Sequence, residues 1–225
     1  MIIVTGTSRG IGREIALNLS DQGLEVIGLS RSLVPSRFTQ FEIDVANYDS
    51  IKEFVGNLKS EHKEISALIN CAGIASMNLA VLTPSHVTRK IIETNLLGTI
   101  FCCQLFSPLL IRNGFGSIIN FSTIAVSLNL EGESVYVASK AGVEAFTRVI
   151  AKELAGHNIR ANCIAPGPIQ TSLLSGVSEE QIDKIVQSQI IKKRFSKEDI
   201  CDIVNLLLSE NAKSLTGQVF NVGGI

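Results

Sequence analysis

The sequence carries no excess of charge: 20 basic and 21 acidic residues leave −1 over 225 residues. Without a basic field nothing draws in a polyanion, so nucleic acid is not an expected partner. Paired cysteines are also missing. Cys71, Cys102, Cys103, Cys163 and Cys201 are odd in number, lie in apolar runs, and show neither CxxC spacing nor a neighbouring histidine. A disulfide framework and a metal site are thereby excluded, and reduced core thiols in a cytoplasmic protein are expected. Met1-Ile2-Ile3-Val4-Thr5-Gly6 has neither the basic start nor the length of a signal h-region, and no run of 18 apolar residues follows. The expected chain is neither secreted nor membrane-spanning. Internal repeats, low-complexity tracts and linkers are lacking too.

What is present is a globular composition, 45% hydrophobic and 18% charged with 18 glycines and 5 prolines, and a length that suits one domain over residues 1–225. Short β-branched runs alternate with segments of helical period, the pattern of a parallel sheet with crossover helices. Strands are expected at 2–5, 25–29, 41–43, 67–70, 117–121, 159–164 and 218–221. Helices are expected at 10–20, 48–58, 84–110, 136–154 and 199–208, with only a stub between the second and third strands. Pro166-Gly167-Pro168 breaks the chain sharply.

Strand one runs into Thr5-Gly6-Thr7-Ser8-Arg9-Gly10-Ile11-Gly12, so the glycines fall where strand turns to helix. Small residues let backbone approach a dinucleotide phosphate, and the free N–H groups and dipole of the helix start favour its charge. A tight structural turn is the alternative reading. The spacing is T-G-x-x-x-G-x-G.

With this turn the chain resembles the short-chain dehydrogenase/reductase family in its compact single-domain branch. Further landmarks follow in order: Asn70-Cys71-Ala72-Gly73 where the family has N-N-A-G, Asn95, Tyr136-Val137-Ala138-Ser139-Lys140 matching Y-x-x-x-K, Pro166-Gly167, and Gly217 with Gly223-Gly224. The resemblance implies an α/β Rossmann-type doubly wound parallel sheet of about seven strands in the order 3-2-1-4-5-6-7, helices on both faces, and a substrate lid at about 172–195. It also implies hydride transfer between a nicotinamide cofactor and a carbonyl or secondary alcohol.

Family matching assigns cofactor contacts to Gly6, Ser8, Arg9, Gly10, Ile11, Gly12, Arg31, Asp44, Val45, Asn70, Ala72, Gly73, Tyr136, Lys140, Pro166, Gly167, Ile169 and Thr171. Strand two ends Gly28-Leu29-Ser30-Arg31 without the acid that would hold a ribose 2′-hydroxyl. Arg9 and Arg31 match positions that select a 2′-phosphate, which points to NADP(H); two solvated surface arginines are the alternative.

Tyr136 and Lys140 lie four apart on an expected helix and so share a face. In the family the tyrosine is the acid/base and the lysine holds the nicotinamide ribose. Lysine and a bound nicotinamide cation are expected to lower the phenol from its free pKa of about 10. The family's carbonyl-holding serine stands thirteen residues before the tyrosine, which here gives Thr123. Ser122 is one position early and on a strand should face away. Asn95 completes the tetrad, where it holds a proton-relaying water; an amide bonded to nearby backbone is the alternative.

Substrate choice in the family comes from the 124–134 loop and the 172–193 lid, neither of which carries a diagnostic motif. The overall pattern resembles 3-oxoacyl-carrier-protein reductases, whose basic rim here reduces to Arg112, Arg148 and Lys192 to Arg194. A small ketone, a sugar-derived carbonyl or a secondary alcohol fits equally well. The family's assembly through its two long helices implies a homotetramer, with a dimer as alternative. A cofactor-sensing regulator is the reading from another class, disfavoured by the presence of both Tyr136 and Lys140. An extended-branch epimerase would need a larger C-terminal domain.

Overall fold

The β-branched runs pair as expected in the computed structural model, which describes residues 1–171 and 176–225. Among these residues the strands are β1 (Ile2–Thr5), β2 (Val26–Ser30), β3 (Thr39–Glu42), β4 (Ala67–Asn70), β5 (Gly116–Phe121), β6 (Ile159–Ala165) and β7 (Val219–Asn221). They form one sheet, wholly parallel, in the order β3-β2-β1-β4-β5-β6-β7. Along each central strand, neighbouring side chains enter opposite cores because the side-chain period is two. Ile3, Leu68 and Ile118 enter one core, and Val4, Ile69 and Ile119 the other.

The helices α1 (Gly10–Asp21), α2 (Tyr48–Ser60), α3 (Ser85–Ile91), α4 (Gly98–Asn113), α5 (Ala125–Leu128), α6 (Ser134–Leu154), α7 (Glu179–Ser188) and α8 (Lys197–Leu208) complete the described elements. Helices α1 and α8 cover one face, burying Ile15, Leu19, Val204 and Leu207. On the other face, α2, α4 and α6 bury Phe54, Phe106 and Ile150. The order reverses between β1 and β4, and such a switch point leaves a crevice at the strands' C-terminal ends.

Three local features depart from the periodicity reading. No helix forms between β2 and β3: residues 31–38 run irregularly, tied by Gln40 to the carbonyl of Val34 (2.6 Å) and by Arg13 to that of Pro35 (3.0 Å). Phe38 instead plugs the core there, against Gly28, where a Cβ would meet its ring at 2.6 Å. The expected helix over 84–110 is continuous from α3 to α4 but contains a π turn, Ile92–Leu97. By composition, residues 85–113 are long and apolar enough to cross a membrane, yet 56% of the most apolar stretch is buried inside the protein, as in a core helix. The short α5, just after β5, has too few residues for a periodic signal.

Candidate active site

The chain must turn from β1 into α1 within four residues, and the local geometry demands glycine. Gly6 has φ +78, and a Cβ there would lie 2.8 Å from the Ala72 Cα in the segment leaving β4. A Cβ on Gly12 would lie 2.6 Å from the Gly6 carbonyl oxygen. Thr5 Oγ1 joins the two segments by accepting from the Cys71 and Ala72 N–H groups at 3.1 and 3.0 Å. No side chain caps α1 and no acid occupies its first turn, so its leading N–H groups and dipole favour an anion.

A cleft of about 700 Å³ opens above this turn, a size that suits a cofactor or drug-sized ligand. Its lining includes the whole turn from Ser8 to Gly12 with Gly6, then Arg31, Asp44 and Val45, then Ala72 and Gly73. Pro166, Gly167, Ile169 and Thr171 line it after β6. Ser172, where the expected lid begins, lies with 173–175 outside the described residues.

The same cleft receives Tyr136, Lys140 and Thr123. Tyr136 and Lys140 project from one face of α6 and are 7% and 5% exposed. Lys140 Nζ donates to the Phe121 carbonyl at 2.8 Å, and burial lowers its pKa. Thr123 lies near enough to Tyr136 to favour its phenolate slightly, and the Thr123 Oγ1 accepts from the Ala125 N–H at 3.2 Å. Ser122 lines the cleft as well, but its hydroxyl donates to Glu144 Oε1 at 2.7 Å.

In the chain by itself the phenol shifts upward. Burial first, and the Glu133 charge second, push Tyr136 above its ordinary value, against a smaller lowering by Thr123. Among the described residues the balance therefore keeps the phenol protonated at neutral pH, which is the state of a proton donor.

Comparison with known proteins then decides the family. A family model described as enoyl-(acyl carrier protein) reductase matches residues 6–224. The chain belongs to the short-chain dehydrogenase/reductase family. A 3-oxoacyl-[acyl-carrier-protein] reductase of Staphylococcus epidermidis is 35% identical over 236 residues, covering 99% of this chain and 96% of the relative. The ligand-free aldohexose dehydrogenase of Thermoplasma acidophilum superposes with TM-score 0.89 at 31% identity, covering 99% of this chain and 92% of that one. A 4-hydroxyisoleucine dehydrogenase complexed with NADH gives TM-score 0.89 at 25% identity, covering 99% and 97%. This short-chain dehydrogenase/reductase is thus an oxidoreductase whose family uses a nicotinamide cofactor.

Two family-matched residues stand apart from the cleft lining. Asn70 turns into a buried amide chain, donating to Asn120 Oδ1 at 2.9 Å, while Asn120 donates to Thr147 Oγ1 at 2.8 Å. That chain ties β4, β5 and α6 together beneath the cleft. Asn95 lies in the π turn, donating to the Ile74 carbonyl at 2.9 Å and to Ser139 Oγ at 3.0 Å. Its Oδ1 accepts from the Ile74 N–H at 2.8 Å, and a Cβ on Gly73 would lie 3.4 Å from both this oxygen and Lys140 Nζ. The amide's bonds brace the segment beside Lys140.

Glu133, which the motifs do not single out, also lines the cleft. The one signal for it is its position three residues before Tyr136, a spacing that shares a helix face.

Proposed function

We propose that the chain is an NADP(H)-dependent carbonyl reductase in which Tyr136 is the general acid. What carries the reading is one cleft that brings an uncapped, glycine-lined helix start together with the hydroxyls of Tyr136 and Thr123 and with Lys140. The bound nicotinamide supplies the hydride when the substrate is reduced. The backbone of residues 8–12 holds the cofactor phosphates, Arg9 and Arg31 the 2′-phosphate, and Asp44 and Val45 border the adenine. Lys140 positions the nicotinamide ribose, and Ile169 and Thr171 border the carboxamide. Thr123 and Tyr136 hold the substrate oxygen with their hydroxyls, and the Tyr136 proton moves to that oxygen as negative charge develops. Asn95 braces the Lys140 side of the site.

The substrate is a small carbonyl compound, with no nucleic acid or membrane partner. Carrier-protein docking has less support, because every rim cation but Lys192 is already engaged within the chain. Arg112 donates to the Lys63 carbonyl, Arg148 pairs with Glu144, Lys193 with Asp199, and Arg194 with Glu179 and Asp183. A cytoplasmic homotetramer of single-domain chains completes the reading, supported by exposed Val149 on α6 and exposed Phe115 just after α4.

A pair of substitutions tests the hydroxyl assignment. In NADPH-dependent ketone reduction, Thr123→Ala should lower kcat by about 10- to 100-fold, the range of a lost hydrogen bond to developing charge, while Tm stays near the parent's. Ser122→Ala should do the opposite. It leaves Glu144 without its buried donor, at a cost of about 1–3 kcal/mol and a drop in Tm of about 2–12 °C, with kcat within about twofold. The reversed pattern would move the oxygen-holding role to Ser122.

A further inference from the structure

A carboxyl withdrawn from water needs a partner or a proton. Glu133 is 8% exposed; its carboxyl is accessible from the cleft, and among the described residues its side chain makes no hydrogen bond or ion pair, so a substrate that fills the cleft would withdraw it from water unpaired. Glu144, equally buried, has both Ser122 and Arg148. Glu133 occupies the N-cap position of α6, where an acidic side chain commonly accepts from the first free N–H groups. It makes no such bond; it lines the cleft instead, close enough to Tyr136 for its charge to act on the phenol. The loop beside it contributes Ile124, Ala125 and Leu130 to the lining, and Met77 and Ile185 line the cleft as well. None of those side chains offers a hydrogen bond of ordinary strength to a polar substituent, whereas the carboxyl does.

Resting on the carbonyl-reductase reading above, we propose that Glu133 accepts a hydrogen bond from a substrate hydroxyl on a carbon next to the reacting carbonyl, or one carbon beyond. Glu133 and Tyr136 are one helical turn apart, so one small molecule can span both: its carbonyl oxygen on Tyr136 and Thr123, its hydroxyl on Glu133. The substrate class is therefore a hydroxy ketone or hydroxy aldehyde, rather than a plain acyl chain, which would leave the carboxyl buried and unpaired. An ammonium in place of the hydroxyl is disfavoured because Lys140 already brings a positive charge to the same cleft. Burial, which raises the Glu133 pKa, also favours a neutral polar partner.

The test compares kcat/KM for hydroxyacetone, butanone and aminoacetone with NADPH, in the parent and in Glu133→Leu and Glu133→Gln. The parent should prefer hydroxyacetone over butanone by about 10- to 100-fold, the worth of a hydrogen bond to a carboxyl. Glu133→Leu should bring that ratio to near one by raising KM for hydroxyacetone. Glu133→Gln, which keeps an acceptor, should retain part of the preference. Glu133 makes no side-chain bond among the described residues, so its replacement should leave Tm unchanged, and a loss of ratio cannot then be ascribed to unfolding. An unchanged ratio in Glu133→Leu, or a parent preference for aminoacetone, overturns this inference alone. Reduction of none of the ketones by the parent overturns it together with the carbonyl-reductase reading.

Discussion

Tyr136→Phe should abolish measurable turnover, lowering kcat by about 10³-fold or more while NADPH still binds. Two contributions add here. A positioned general acid gives about 10²- to 10⁴-fold, and one hydrogen bond to the developing oxyanion about 10²- to 10³-fold. Phenylalanine keeps the buried ring, which is 7% exposed in the parent, so packing changes little. The sign of the phenol's shift fits this role: pushed above its ordinary value by burial and then by Glu133, Tyr136 holds its proton through the neutral range. In the reductive direction, activity should therefore persist across neutral pH and fall only at alkaline pH, as the phenol ionises. Fluorescence titration with NADPH alongside steady-state rates separates the two effects. A variant that keeps a tenth or more of parental kcat would remove Tyr136 from the chemistry.

The second large effect is expected in cofactor choice. Arg9 and Arg31 are both exposed residues of the cleft lining, and no acid at the end of β2 opposes a phosphate. Charge-assisted hydrogen bonds are worth about 1.5–3 kcal/mol each, reduced at an exposed site by screening. Alanine at both positions should weaken NADPH binding by about 10- to 100-fold and leave NADH nearly untouched. Arg31→Asp should go further and invert the preference, since a carboxylate repels the 2′-phosphate and accepts from a free 2′-hydroxyl. Isothermal titration of each variant with both cofactors, repeated at higher salt, checks the claim. An NADPH-to-NADH ratio that does not respond to either change would return the two arginines to ordinary surface residues.

Much of the fold could be read from pattern because buried parallel strands are written as short apolar runs. Ile2 to Thr5 and Ala67 to Asn70 are buried throughout, and their periodicity is plain. The edge strand β3 is mostly exposed, so its Thr39–Glu42 carries little signal and starts two residues before the apolar pattern that marks it. The segment before it gives no hint that Phe38 replaces a helix, because that depends on the space left by Gly28 across the sheet. A π turn leaves the apolar pattern of a long helix intact, which hides the widened turn at Asn95.

The site shows the same division. Residues whose role rests on backbone geometry, such as Gly6 and Gly12, are legible because only glycine fits within 2.8 and 2.6 Å of the facing backbone. Thr123 and Ser122 are not separable by strand alternation, since both follow the end of β5 and both line the cleft; what distinguishes them is the bond from Ser122 to Glu144. Asn70 is not, since its amide has the choice of cleft or core and the Asn120 and Thr147 partners lie far away in sequence. Glu133 illustrates the converse: an acid in a loop reads as solvated until the fold buries it beside Tyr136.

The central claim is tested most directly by NADPH oxidation with purified protein. The carbonyl panel would contain acetoacetyl thioesters, diketones, quinones and hydroxy ketones, with NADH in parallel and Tyr136→Phe as the blank. The account predicts carbonyl-dependent oxidation of NADPH, at least tenfold faster than that of NADH and lost in the variant. Tight NADPH binding with no carbonyl-dependent oxidation, or a tenfold preference for NADH, would contradict it.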